Sequence, residues 1–245
     1  MTDVTKGMQE LLSRLPKTDT YPFRSVLNPE YTQEHIALSL TPANLLLALL
    51  RAKEAQEIAV SYRDFKVGAA VVGLAFKPSR FKIMTGVNVK PDEESNMNVH
   101  AEQVALQKAR DDHFDAISIV AVVGNTQSDK QSGKEMPTLH PCGLCRGIMT
   151  HDPMMHHQAT LIVSALPDFS SLELYSLDAL NTYHETHDTT GITQIDLPRL
   201  SIFDPVIDTG EPIQPGYVES YDADARIWEN AINDFLLQRR LELLN

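Results

Sequence analysis

Two short strings in this 245-residue chain carry residue types that bind transition metals. The first is His100-Ala101-Glu102, and the second is Pro141-Cys142-Gly143-Leu144-Cys145, which holds both cysteines of the sequence. One imidazole and two thiolates can bind zinc tetrahedrally and leave the fourth position to water, as in catalytic rather than structural zinc sites. We therefore predict one catalytic Zn²⁺ per chain, with His100, Cys142 and Cys145 as its ligands.

The spacing of the first string requires the start of a helix. Residues two apart on a regular helix point in different directions, so His100 and Glu102 can meet at one metal-bound water only near a helix end. We expect a helix from Ala101 to Ala109, with Asn96 or Asn98 as its cap.

The second string predicts another helix start. Cys142 and Cys145 are three residues apart and share one face of a first helical turn, which Pro141 can precede. The positive end of the helix dipole and the metal both favour thiolate over thiol at neutral pH. Two helix N-termini are therefore expected to point at one zinc ion.

Glu102 is not needed as a ligand and is free to move protons. Zinc lowers the pKa of a bound water toward neutrality, and a carboxylate beside it can take the proton and deliver it to a substrate. His-x-Glu followed by Pro-Cys-x-x-Cys is the signature of zinc-dependent deaminases, which release ammonia from an amidine-like carbon. Two alternatives remain open: a structural zinc site short of one ligand, and a redox dithiol at Cys142 and Cys145.

Further segments resemble the cytidine deaminase family. Ser61–Ala70 contains Phe-x-Val-Gly-Ala, and Gly86–Val89 contains Gly-x-Asn. Asn98–Gln103 and Pro141–Arg146 are similar to the branch of the family that uses histidine as the first ligand. The resemblance covers about Thr41–His187. It implies conversion of cytidine or deoxycytidine to the uridine product, with hydroxide on zinc attacking C4.

The resemblance also implies roles for single residues. Glu102 would be the proton shuttle, Phe65 would line the pyrimidine pocket, Asn88 would hydrogen-bond the sugar, and the Ala101 backbone would read the base. The structural alternatives are an ordinary core aromatic for Phe65 and a turn residue for Asn88. Arg146, directly after the second cysteine, would hydrogen-bond the thiolates or else form a surface salt bridge.

Lys90 departs from the family pattern, which usually has a glutamate there that holds the ribose hydroxyls. An ammonium cannot accept a hydrogen bond from a hydroxyl, but it can pair with a carboxylate or a phosphate. The alternative substrates are therefore a nucleotide, an N4-substituted cytidine or a nucleoside antibiotic. A solvated loop lysine is the structural alternative for Lys90. A non-catalytic zinc scaffold is the alternative for the whole protein.

Composition and charge narrow the class of partner. The 21 Lys and Arg residues against 33 Asp and Glu give a net charge of -12, which is unlike proteins that bind polynucleotides. We expect a small pyrimidine substrate in salvage metabolism and no nucleic acid. No apolar run reaches the roughly 20 residues that a membrane span requires, and Met1–Pro22 lacks the apolar centre of a signal peptide. With both cysteines assigned to zinc, we expect a cytoplasmic protein without disulfides.

Strands alternate with helices, which predicts a three-layer α/β/α sandwich. The expected helices span 42–59, 101–109, 142–150 and 177–184, and the expected strands span 67–74, 81–88, 117–123, 159–164 and 172–175. The family resemblance implies a mixed five-stranded sheet and a homo-oligomer, either a dimer or a tetramer.

The catalytic domain is expected at 41–188, between an N-terminal extension at 1–40 and a C-terminal extension at 189–245. The first extension contains a possible helix at 8–15, and the second ends in an amphipathic helix from Asp222 to Leu244, which we expect to support the oligomer.

The polar stretch 125–140 is expected to be a flap over the pocket or a surface decoration. Histidines cluster after it, but His156 and His157 are adjacent, which is poor geometry for a shared ion. We interpret the cluster as solvated or capping side chains: His140, His151, His156 and His157.

Overall fold

The structure is a computed structural model, which describes residues 29–76, 79–94, 97–126, 136–196 and 215–244. The predicted helix at 8–15 lies outside the described residues, as does most of the predicted flap.

Six helices and eight strands are formed by the described residues. The helices are α1 (Pro29–Ser39), α2 (Pro42–Glu57), α3 (Ala101–Asp111), α4 (Gly143–His151), α5 (Leu177–Thr186) and α6 (Pro215–Leu244). The strands are β1 (Val60–Ser61), β2 (Val67–Phe76), β3 (Ser79–Val87), β4 (Val89–Lys90), β5 (Ala116–Gly124), β6 (Leu161–Ala165), β7 (Ser171–Tyr175) and β8 (Ile192–Asp196). All elements predicted between residues 42 and 184 are confirmed, and their ends move by at most two residues.

The main sheet has the strand order β3-β2-β5-β6-β7-β8, so the expected count of five strands was wrong. The sixth strand, β8, pairs antiparallel with β7 from Ser171 opposite Asp196 to Tyr175 opposite Ile192. The sequence analysis placed β8 in the C-terminal extension because a short, half-exposed edge strand has little apolar signal. The mixed sheet and the three-layer α/β/α architecture are confirmed.

Helices α3 and α4 both cross between parallel strands on one face of the sheet. Strands β3 and β5 are each antiparallel to β2 and therefore run parallel to each other, and β5 is parallel to β6. Helix α3 follows the β3–β4 segment and leads to β5, and α4 leads from β5 to β6. The N-termini of both helices consequently meet at the carboxyl edge of the sheet, where α/β proteins place their sites.

Two apolar cores lie on opposite faces of the sheet. Neighbouring residues of β2 alternate between them: Ala70 and Val72 face α1, α2 and α6, whereas Ala69 and Val71 face the side of α3, α4 and α5. Both extensions contribute to the first core, through a set of buried residues on α1 and α6: Ile36, Ala37, Ile232, Leu236 and Leu243.

Helices α1 and α2 also bear on membrane topology. Within the described ranges, no single helix combines the length and apolar character that a membrane crossing needs. Among the described helices, the pair Thr32–Ser39 and Pro42–Glu57, bent by 78°, is long and apolar enough only when its two helices are taken together.

Gly86 lets the first turn of α3 lie directly on β3. A Cβ atom at this glycine would lie 1.9 Å from the Ala101 carbonyl oxygen and 2.7 Å from the Ala105 nitrogen. These are backbone atoms of α3 and cannot move aside without shifting the helix. The start of α3, which carries His100 and Glu102, is therefore positioned by close backbone contact with the sheet.

We expect Gly86→Ala to destabilise the fold by about 3 kcal/mol or more, because the helix must shift to accept one methyl group. Thermal or denaturant unfolding measures this change. Gly147→Ala is the matched control, since nothing lies within 4 Å of a Cβ there and α4 gains helix propensity. The control is expected to be neutral or stabilising by about 0.5–1 kcal/mol. Equal effects of the two substitutions would contradict this account.

Candidate metal centre

His100 and Cys142 are the N-cap residues of α3 and α4. Both have extended backbones, with φ -96° and ψ 142° at His100 and φ -67° and ψ 167° at Cys142. Neither side chain caps its own helix. The predicted cap at Asn98 was therefore wrong, because His100 holds the cap position and turns its ring toward the cysteines. Asn96, the other predicted cap, lies outside the described residues.

The three predicted ligands meet at one point. The Nδ1 atom of His100 lies 3.4 Å from the Cys142 sulfur and 3.5 Å from the Cys145 sulfur. Tetrahedral zinc, with Zn–N near 2.0–2.1 Å and Zn–S near 2.3 Å, would separate nitrogen and sulfur by about 3.6 Å. All three donor atoms lie within 4.8 Å of one another. The donor set and its spacing therefore fit zinc.

The two thiols are electrostatically coupled. A hydrogen bond with Cys145 is the main influence that lowers the pKa of Cys142, to about 3; burial opposes it and a contact with His100 assists it. The same hydrogen bond and burial raise the pKa of Cys145. Contact with Cys142 in turn raises the pKa of His100. The lowered pKa favours a thiolate at Cys142, and zinc binding requires in addition a deprotonated Cys145 and a neutral His100.

Glu102 lies in the first turn of α3, next to the ligands but outside their donor set. Its side chain is only 5% exposed. Burial raises the pKa of this carboxyl, and the Cys142 thiolate adds to the rise against a backbone hydrogen bond. The structure thus places a shielded carboxyl beside the centre, in the position expected of a proton carrier.

The segment before His100 is held by strand β4. Val89 and Val99 exchange two backbone hydrogen bonds of 3.0 Å, and Val89 and Lys90 also pair in parallel with Val60 and Ser61 of β1. This small second sheet carries Lys90 on the strand that fixes the histidine ligand.

Asn88 organises the turn before β2. Its Oδ1 accepts a 2.7 Å hydrogen bond from the Val67 nitrogen, and its Nδ2 donates to the Phe65 carbonyl at 2.8 Å. Phe65 is half-buried and packs against the core beneath α3 and α4. Both side chains therefore take on the structural roles weighed as alternatives, whereas their contacts with sugar and base stay predictions. Ala101 is fully buried at the start of α3, and its predicted role in reading the base also stays a prediction.

Arg146 holds the backbone just before the first cysteine. Its Nη1 donates to the Pro141 carbonyl at 2.9 Å. Neither a hydrogen bond to a ligand sulfur nor an ion pair is found for Arg146 within the described part of the chain. Burial lowers the pKa of its guanidinium, whereas both cysteines oppose that change. The half-buried cation lies near the thiolates, but its direct bond goes to the Pro141 carbonyl.

Sequence reasoning missed Glu173. This residue of β7 is 5% exposed, and its Oε2 accepts hydrogen bonds from the Thr138 hydroxyl and from His140 Nε2, the latter at 3.0 Å. The only signal in the sequence was an acidic residue inside the otherwise buried strand Ser171–Tyr175.

The histidine cluster is divided among other contacts. His140 is hydrogen-bonded to Glu173. The Nε2 atom of His157 lies 3.0 Å from the Thr150 carbonyl oxygen, and its Nδ1 atom lies 3.5 Å from Oδ1 of Asp178.

The metal centre lies within a part of the chain that matches a known family. Residues 44–156 match the family described as cytidine and deoxycytidylate deaminase zinc-binding region, and this range contains all three ligands and Glu102. Residues 44–156 therefore form a zinc-binding deaminase domain, in which His100, Cys142 and Cys145 are positioned to bind the metal ion.

Solved structures of cytidine deaminases are similar to part of the chain. The enzyme from Burkholderia pseudomallei is 26% identical, with 55% of this chain and 94% of that chain covered and a TM-score of 0.43. The enzyme from Mycobacterium leprae is 21% identical, with 56% and 96% covered and a TM-score of 0.37. The enzyme from Mycobacterium tuberculosis is 22% identical, with 49% and 83% covered and a TM-score of 0.35. No curated protein matches the sequence.

We expect Cys145→Ser to lose zinc, with an affinity decrease larger than the roughly 10–100-fold typical of residues that only support ligands. Zinc content after dialysis and chelator competition measure the loss. His151→Gln is the control, because His151 ends the same helix outside the ligand cluster. One zinc per chain is expected in the control and in the wild type. Retention of zinc by Cys145→Ser would rule out this ligand set.

Proposed function

We propose that the protein hydrolyses the exocyclic amine of a cytosine nucleoside or a related aminopyrimidine and releases ammonia. The observation that carries this proposal is the buried carboxyl of Glu102 beside the cluster of His100, Cys142 and Cys145. A purely structural zinc site has no use for a proton carrier in that position. When bound, zinc supplies a Lewis acid that makes water nucleophilic at neutral pH.

Glu102 performs the proton transfers in this proposal. Its carboxylate takes a proton from the attacking water and delivers it to the ring nitrogen of the base; it then takes the second proton from the hydroxyl newly formed at C4 and delivers it to the amine, which leaves as ammonia as the C4–N bond breaks and the C4 carbonyl forms. Because the side chain is shielded from bulk solvent, the proton it takes up is passed to the substrate. The first turn of α3, which begins at Ala101, offers backbone N–H groups without helical partners that can donate to the pyrimidine carbonyl. Phe65 supplies an apolar wall for the base.

We expect Glu102→Gln to lower kcat on a cytosine nucleoside by about 10²–10⁴-fold, because general acid–base catalysis is lost. Zinc content should be unchanged, since Glu102 is not a ligand. Ammonia release and bound metal are measured on the same preparation. Gln103→Ala, an exposed neighbour on α3, is the control and should keep both. Zinc-loaded wild-type protein that releases no ammonia from any cytosine compound would instead support the scaffold.

Lys90 supports a second candidate substrate, one that carries an anionic group on its sugar side. The residue is half-buried on β4, and its Nζ lies 5.6 Å from the centre of the Tyr62 ring. Among the described residues no carboxylate forms an ion pair with it, and the nearby Glu93 pairs with Arg63 at 2.7 Å. An ammonium held in this way can form a charge-assisted hydrogen bond with a phosphate or carboxylate.

For an anionic substrate, we expect Lys90→Met to reduce kcat/KM on cytidine 5′-monophosphate by about 10–100-fold, the effect of one hydrogen bond between charged groups. Activity on cytidine should change far less. Steady-state kinetics on both compounds decide the matter. Lys82→Met serves as the control, because it removes a lysine of β3 that forms an ion pair with Asp112. A wild type that prefers cytidine, with equal losses on both compounds in Lys90→Met, would remove the anionic substrate.

We also propose that the protein is a homo-oligomer located in the cytoplasm. Its role would be in pyrimidine salvage, and nucleic acid would not be a partner. Exposed leucines along α6 support an interface between subunits: Leu237 at 58%, Leu241 at 50% and Leu244 at 48% exposure. The net charge of -12 disfavours polynucleotides. Light scattering of the purified protein determines the assembly.

A further inference from the structure

Two of the three metal ligands precede their helices. Cys145 lies inside α4 and is buried, so the helix itself sets its position. His100 and Cys142 are N-cap residues, and the segments that lead into them set where their side chains go. For His100 that segment is held by the paired backbone hydrogen bonds of Val89 and Val99. The corresponding support for Cys142 has to come from another source.

The segment that leads into Cys142 is irregular but buried. Met136 and Leu139 contribute apolar contacts. Thr138 and His140 point polar groups into the interior, and both reach the same atom, Oε2 of Glu173. Strand β7, which carries that atom, is hydrogen-bonded to β6 on one side and to β8 on the other. The acceptor is therefore fixed in the middle of three strands.

We propose that Glu173 is a positioning residue for the metal centre: by holding Thr138 and His140 it sets the backbone that presents the Cys142 sulfur. The contact from Arg146 to the Pro141 carbonyl, at 2.9 Å, holds the same backbone one residue further along. The Cys142 ligand is thus supported from the sheet on one side and from α4 on the other.

Glu173 is better explained by this role than by stability alone. A buried carboxylate is costly, and apolar residues of similar size often replace buried charged groups without loss of stability. Its hydrogen-bond partners in the described structure are Thr138 and His140, which both belong to the ligand segment. His140 Nδ1 has no partner among the described residues, so Glu173 provides the only hydrogen bond that orients this ring.

The charge on Glu173 suits a double acceptor. Burial raises the pKa of its carboxyl, but the hydrogen bonds with His140 and Thr138 outweigh burial, so that the pKa is lowered overall. The carboxylate can therefore accept both hydrogen bonds at neutral pH.

Zinc affinity, measured by chelator competition, tests the role of Glu173. We expect Glu173→Leu to weaken zinc binding by about 10–100-fold, as loss of residues that orient ligands does. Glu173→Gln keeps an oxygen that can accept both hydrogen bonds and should stay within about threefold of wild type. The absorption spectrum of the cobalt-substituted protein should shift in Glu173→Leu and match wild type in Glu173→Gln, because it reports the geometry of the thiolate ligands.

Thr160→Val is the matched control. The Thr160 hydroxyl is fully buried and donates to the Ile117 carbonyl at 2.7 Å, away from the segment before Cys142. The control should lower the Tm without changing zinc affinity. If Glu173→Leu does the same, Glu173 is only a structural residue and the proposal is overturned.

A second variant keeps the test decisive if Glu173→Leu does not fold. Thr138→Val removes one of the two donors and keeps the shape of the side chain. It should weaken zinc binding by a smaller factor than Glu173→Leu, and unchanged affinity would overturn the proposal. Because metal affinity is measured without substrate, failure here is distinct from failure of the proposed deaminase reaction.

Discussion

The site depends on placing one imidazole nitrogen 3.4–3.5 Å from each of two sulfur atoms, although the histidine and the cysteines are more than 40 residues apart in the sequence. The sheet makes this possible because α3 and α4 both begin at the carboxyl ends of parallel strands, β3 and β5, on one face. Their N-termini then meet at one edge, and their dipoles favour the thiolate charge. The close packing of α3 on Gly86 fixes the start of the helix and thereby the position of His100.

Each ligand is held by a different kind of interaction. The regular geometry of α4 positions Cys145, and a backbone bridge to β4 positions His100. The backbone before Cys142 is held by the hydrogen bonds of Thr138 and His140 to Glu173 and by the hydrogen bond from Arg146 to the Pro141 carbonyl. A metal site needs its donors in place before the ion arrives, since disorder in any one of them lowers affinity. The buried polar groups of the centre serve that preorganisation.

The side of the centre where we propose that the substrate binds is less regular. Asn88 uses its amide to shape the turn that carries Phe65, and Lys90 follows on the short strand that also holds the histidine ligand. A change at this strand therefore affects both the metal ligand and the residues that we propose to contact the substrate. The same strand pairs with β1, which precedes the aromatic and basic residues Tyr62 and Arg63.

The sequence by itself determined the ligand set and the alternation of helices and strands, and it predicted Glu102 as the proton carrier. Those features depend on residue types at short spacing: His100 with Glu102, Cys142 with Cys145, and apolar runs such as Val67–Phe76 that a buried strand requires.

Only the tertiary structure decided the edge strand β8, the N-cap at His100, the bond from Arg146 to Pro141 and the role of Glu173. The physical reason is distance along the chain. Glu173 and His140 are 33 residues apart, and they meet because of strand order and the path of an irregular segment. Local hydrophobic periodicity indicates neither the strand order nor the path of that segment, whereas the spacing of ligands within one helical turn can be read directly from the sequence.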